Sequence, residues 1–130
     1  MGRDKALIPL AGKRLIEYAL DHLQGLTDDL FITTNQPELL KHLGLRLVPD
    51  EVPGQGALYG LRTALLAAQH DNVLIVACDM PFIQRELIEH MFSLAGQADV
   101  IIPEQDGNFE PMLALYRAST CLPEIERALK

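Results

Sequence analysis

The stretch Val73-Leu74-Ile75-Val76-Ala77-Cys78-Asp79-Met80-Pro81 decides the fold. Its first half is a continuous apolar run with no alternation, which is how a parallel strand covered on both faces reads. The run ends in a carboxylate, Asp79, just before Met80-Pro81, so the side chain leaves the core where a rigid turn begins. In open α/β sheets ligands bind outside the carboxyl ends of the strands. A carboxylate in that place suits Mg²⁺ held against substrate phosphates, since the ion prefers oxygen ligands and takes only one or two from protein. Asp79 is equally suited to capping or turning into the helix that begins near Gln84.

Outward from this strand, helical and extended patterns alternate. Towards the N-terminus, Leu58, Leu61, Leu65 and Ala68 recur at helical spacing, so 57–70 is expected to be a helix. Before it, Pro49 to Gly56 holds Pro49, Pro53, Gly54 and Gly56, a loop by its breakers. Leu45 to Val48 and Leu30 to Thr34 read as strands, Pro37 to His42 as a short helix, and 14–24 as an amphipathic helix. Towards the C-terminus, 84–95 is helical, 99–102 and 112–116 are strands, and 119–130 is a helix that Ser119 is placed to cap. Such alternation predicts one α/β domain, a Rossmann-like three-layer sandwich with a mostly parallel sheet and helices on both faces. The helix at 14–24 has no strand before it: Ala6 to Leu10 is the only apolar run there, and Pro9 cannot donate to a central ladder.

Composition narrows the function. The 130 residues are 48% hydrophobic and 22% charged, those of an ordinary globular domain. No apolar stretch reaches the roughly 18 residues of a membrane helix, and the first ten lack the order of a signal peptide, so a cytoplasmic protein is expected. Cys78 and Cys121 have no Cys-x-x-Cys partner and read as buried thiols, while His22, His42, His70 and His90 lack zinc spacing. The net charge of −7 argues against nucleic acid as a partner. The charge is uneven, however: Arg3, Lys5, Lys13 and Arg14 against Asp4 give the first fourteen residues +3 and leave −10 for the rest. A basic N-terminal patch on an acidic domain fits a small anionic ligand, although solvated lysines alone also produce one.

Three further positions stand where a ligand would lie. Asn35 ends the strand at 30–34, and Asp50 follows the strand at 45–48. An amide and a carboxylate suit the donors and acceptors of a base or ribose, and both are also common turn formers. Lys5 offers a point charge for a phosphate, or is an ordinary surface lysine. The glycines of Pro53-Gly54-Gln55-Gly56-Ala57-Leu58-Tyr59-Gly60 open a helix whose backbone N–H groups attract anions. No Gly-x-Ser-x-Gly and no Walker-type motif occurs.

In order, Met1-Gly2-Arg3-Asp4-Lys5, Ala11-Gly12-Lys13-Arg14-Leu15, Thr34-Asn35, Val48-Pro49-Asp50, Gly56 to Leu61, Cys78 to Phe82 and Glu110 to Tyr116 resemble the segments of the molybdenum-cofactor guanylyltransferases. Arg14 stands where that family often has Pro. The resemblance implies a nucleotidyltransferase fold and Mg²⁺-dependent transfer of GMP from GTP to the phosphate of molybdopterin, with release of pyrophosphate. It implies that Lys5 contacts nucleotide phosphate, Asn35 and Asp50 the guanosine portion, and that Asp79 binds Mg²⁺ and positions the nucleotide. The family's Leu-Ala-Gly-Gly phosphate loop would precede Met1 and further helices would follow Lys130. A domain truncated at both ends, with little transferase activity alone, is the expectation. Transfer of CMP or another nucleotide, and a non-catalytic nucleotide-binding remnant, are the rival readings; oligomeric state is open.

Overall fold

The computed structural model describes residues 9–50, 56–77 and 83–130. In chain order the elements are β1 (Pro9–Leu10), β2 (Lys13–Arg14), α1 (Leu15–Leu23), β3 (Phe31–Thr33), β4 (Arg46–Val48), α2 (Ala57–Ala67), β5 (Asn72–Val76), α3 (Arg85–Ser93), β6 (Val100–Ile101), β7 (Glu104–Gln105), β8 (Asn108–Phe109), β9 (Leu113–Arg117) and α4 (Ala118–Ala128). Between β3 and β4 the chain makes two single turns of 3₁₀ helix, Pro37–Leu39 and Lys41–Leu43, where one short α-helix is expected from the sequence. Leu40 lies between them at φ −120°, ψ 0°, which breaks α-helical continuity, and Gly44 closes the second at φ 71°.

The described residues fall into two compact units. One takes those of Met1–Thr27 with Leu74–Leu115, the other Asp28–Val73 with Tyr116–Lys130. β5 and β9 each begin in one unit and end in the other.

In the first unit, β1 and β2 form an antiparallel hairpin with Pro9 opposite Arg14 and Leu10 opposite Lys13. Sequence reading finds no strand here because Pro9 cannot serve a central ladder; a two-residue hairpin asks less of it. Its turn, Ala11-Gly12, has φ of 52° and 89°, the positive pair that tight hairpin turns require. The hairpin is tied to α1: the Tyr18 hydroxyl donates to the Leu10 carbonyl at 2.6 Å, and Lys13 Nζ lies 2.6 Å from Asp21. The hydrogen bond to Asp21 holds the exposed Lys13 ammonium above its ordinary pKa. α1 buries Ile16, Ala19 and Leu23, as its amphipathic spacing predicts. Its C-terminal carbonyls are met by the first residue of α3, because Arg85 Nη1 donates to Gln24 O at 2.8 Å and His22 O at 3.4 Å. α3 buries Ile88 and Met91. β5, β9 and β6 form a sheet in the order β5-β9-β6, and β9 is its most covered strand, with Leu113, Ala114 and Leu115 all buried. In β5 only Val73 is buried, and Leu74 to Val76 are half-buried. An apolar run without alternation reports that both faces are apolar, not how fully neighbours cover them. β7 and β8 form a second antiparallel hairpin around Asp106-Gly107, again with both φ positive.

In the second unit β3 and β4 run parallel, Phe31 opposite Arg46 and Thr33 opposite Val48. Their near ends are tied down by Asp29, whose carboxylate takes Arg46 Nη2 at 2.9 Å and the Gln69 N–H at 2.7 Å. The Arg46 guanidinium also lies 4.4 Å from the Phe31 ring centroid and donates to the Ala67 carbonyl at 3.1 Å. With His70 2.7 Å from Asp28, these bonds draw the chain out of α2 after Ala67, three residues before the helix expected from periodicity ends. α2 and α4 are joined by the Arg62–Glu126 ion pair.

α4 is not capped by Ser119. Arg117 is the N-cap, and Asp71 does the work from the start of β5: its carboxylate accepts the Ser119 N–H at 2.8 Å and the Ser119 hydroxyl at 3.0 Å, and its carbonyl accepts the Ala118 N–H at 2.7 Å. Asp71→Ala should cost about 1–2 kcal/mol, read as a lower denaturant midpoint at unchanged slope. Equal midpoints would show that water replaces the cap.

Candidate nucleotide site

The far ends of β3 and β4 carry the site. In parallel strands opposed residues share a face, and the stacking of Arg46 on Phe31 shows it at the first pair of this ladder. Counting two residues on from Thr33 and Val48 puts Asn35 and Asp50 at corresponding positions just beyond the two strands. The backbone pairing runs as far as Thr34, whose N–H donates to the Val48 carbonyl at 2.9 Å. The alternation also separates the faces: Ile32 and Thr34 are buried, while Asn35 is exposed.

Asp50 is half-buried, and its Oδ1 is buried with no hydrogen-bond partner among the described residues. A buried acceptor left unpaired costs about 1–3 kcal/mol, which a fold tolerates where a ligand supplies the donor. Asp50 thus has an oxygen ready for an N–H or O–H that the described residues do not offer.

Along the chain from Asp50, α2 begins at Gly56, whose φ of 99° and ψ of −179° belong to the region glycine alone enters freely. A Cβ built there would meet nothing within 4 Å, so the demand is on the backbone, not on space. No side chain caps α2, and the first intrahelical bond runs from the Gly60 N–H to the Gly56 carbonyl at 3.3 Å. The N–H groups of its first turn thus have no side-chain cap among the described residues, and a helix start of this kind suits an acceptor on a ligand.

Of the residues singled out from sequence, Asn35 lies two residues beyond β3 and is exposed, and Asp50 lies two residues beyond β4 and is half-buried. Lys5, Cys78 and Asp79, with Glu51 to Gln55 of the glycine loop, lie outside the described residues. Asp79 follows two residues after Ala77, where the Ala77 N–H still donates to the Met112 carbonyl at 2.8 Å. Cys121 is half-buried in α4. Among the described residues no three His, Cys, Asp or Glu side chains are grouped to hold a metal ion, and no helix is long and apolar enough to cross a membrane. Thr34 enters the sequence reading only beside Asn35 in the family resemblance: β-branched and at a strand end, it carries no signal that sets its hydroxyl apart.

Known proteins resemble this chain in sequence and fold. The curated relatives include probable molybdenum cofactor guanylyltransferases from Carboxydothermus hydrogenoformans, 34% identical over 129 residues, 99% of this chain and 64% of the relative. Another, from Peptoclostridium acidaminophilum, is 38% identical over 126 residues, 92% of this chain and 57% of the relative. The chain therefore spans less than two thirds of the length of these relatives. Among solved structures, molybdopterin-guanine dinucleotide biosynthesis protein A from Archaeoglobus fulgidus superposes with a TM-score of 0.74 at 29% identity, covering 98% of this chain and 65% of that one. The Rv0371C complex with manganese from Mycobacterium tuberculosis H37Rv, at 18% identity, shares the fold with a TM-score of 0.78 over 97% of this chain and 70% of that one. The α/β fold with a mixed sheet is that of the nucleotidyltransferases, as the alternation of helices and strands leads one to expect. The MobA-like NTP transferase domain matches residues 1–130, and this chain belongs to that family.

Proposed function

We propose that this chain is the nucleotide-binding part of a cytoplasmic molybdenum cofactor guanylyltransferase, an enzyme that moves GMP from GTP to the phosphate of molybdopterin. The observation that carries the reading is the buried Oδ1 of Asp50, which has no hydrogen-bond partner among the described residues. Guanine presents two adjacent donors, its ring N–H and exocyclic amine, to one carboxylate. Adenine and cytosine present the amine alone, so a carboxylate that takes a donor on each of its two oxygens would favour guanosine. Asn35, exposed at the neighbouring strand end, supplies an amide to the sugar or base.

In the reaction an oxygen of the acceptor phosphate attacks the α-phosphorus of GTP. The new P–O bond forms as the bond from α-phosphorus to the bridging oxygen breaks, and pyrophosphate leaves with that electron pair. Little covalent help is needed from protein, so positioning and charge neutralisation supply the rate. Lys5 offers its ammonium to the phosphates, and the open N–H groups at the start of α2 offer donors. Asp79 is the oxygen donor for Mg²⁺, a hard carboxylate of the kind that ion accepts, and Mg²⁺ when bound offsets charge on the phosphates.

Competition for labelled GTP tests the nucleotide assignment. GTP should displace the label at least about tenfold better than CTP or ATP, the difference one unmatched polar contact makes. Equal or better displacement by CTP would reassign the protein as a cytidylyltransferase.

A further inference from the structure

We propose that Thr34 is a positioning residue for nucleotide binding, acting through Asn35; the inference rests on Asn35 contacting the nucleotide. Thr34 is 7% exposed, while Asn35 beside it is exposed. Two hydrogen bonds grip the backbone on either side of Asn35. Before it, the Thr34 N–H donates to the Val48 carbonyl at 2.9 Å, which ties this strand end to β4. After it, the Gln36 N–H donates to Thr34 Oγ1 at 3.0 Å, folding the chain back on the threonine side chain. Asn35 is thus the middle residue of a turn closed by a buried hydroxyl, and its side chain has no hydrogen bond of its own among the described residues. A rigidly held backbone with an unengaged side chain is the arrangement that presents an amide to a ligand at low entropic cost. The alternation of β3 explains the division of roles: the buried face supplies the anchor, the other face the contact.

The test uses the full-length protein with GTP as ligand. Thr34→Val keeps the shape, the burial and the Thr34 N–H, and removes only the acceptor for Gln36. It should weaken GTP binding and raise the KM for GTP about tenfold, with kcat changed by less than about twofold. Thr34→Ser should restore both. In an Asn35→Ala background, Thr34→Val should add nothing, since the two residues act as one unit. Additive losses, or a lowered melting temperature with an unchanged KM, would overturn the proposal and leave Thr34 a purely structural residue. Should Thr34→Val fail to fold, Thr34→Ala set against Thr34→Ser makes the same comparison. If Asn35→Ala binds GTP as the unsubstituted protein does, it is the reading of the nucleotide site that falls, and the role of Thr34 falls with it. If Asn35→Ala weakens binding and Thr34→Val does not, the site stands and only the positioning role is lost.

Discussion

Asp79→Ala should lower Mg²⁺-dependent pyrophosphate release by about 10²-fold or more in the full-length protein, the scale on which removal of one charge-stabilising group acts in a transition state. In the sequence Asp79 follows the apolar run Val73 to Cys78, and ligands of α/β proteins lie beyond the carboxyl ends of such strands. The loss should fall on kcat, because the role proposed for Asp79 is to hold an ion that would offset phosphate charge in the transition state. GTP affinity should change by no more than about tenfold, the worth of a single charged contact at a solvated phosphate. A variant with undiminished turnover and the same Mg²⁺ dependence would remove Asp79 from the mechanism. If nucleotide binding persists and neither the parent nor the variant turns over, the protein is a binding module that kept the sheet without the chemistry.

Asp50→Ala should act in opposite directions on binding and stability. GTP affinity should fall about 10- to 100-fold, the range for a hydrogen bond to a charged group that leaves its partner unpaired. The ligand-free protein should be no less stable, and more stable by about 1 kcal/mol where the variant relieves the buried, unpaired Oδ1. Few substitutions of a half-buried residue go that way, and those that do mark sites kept for function at the expense of the fold. Titration calorimetry with GTP alongside denaturant unfolding reads both signs. Lost stability with unchanged affinity would make Asp50 a structural turn residue.

The parts of this fold that sequence pattern makes legible are those governed by local periodicity. α1, α2, α3 and α4 each announce a buried stripe, and the apolar run at β5 announces itself by length. Less legible are elements made by partners distant in the chain. Asp71 caps α4 from 48 residues away, so Ser119 looks like the cap until the carboxylate is seen beside it. The end of α2 depends likewise on Asp28 and Asp29, some 40 residues earlier. The β7–β8 hairpin was within reach, since Asp106-Gly107 is a strong two-residue turn signal, but its strands are too short to show alternation.

For the site, residue type and strand-end location pointed to Asn35 and Asp50, and the structure adds what sequence cannot carry. Asn35 and Asp50 follow the paired ends Thr33 and Val48 by two residues each, and Asp50 Oδ1 is buried without a donor among the described residues. Thr34 shows the limit from the other side. A threonine in a strand is ordinary by propensity, and only the bond from the Gln36 N–H distinguishes its hydroxyl.

The most direct test is pyrophosphate release by the full-length protein with molybdopterin as acceptor and GTP, CTP or ATP as donor. Release that requires both GTP and molybdopterin is the predicted result. Release with CTP in preference to GTP, or none with any nucleotide that the protein demonstrably binds, would contradict it.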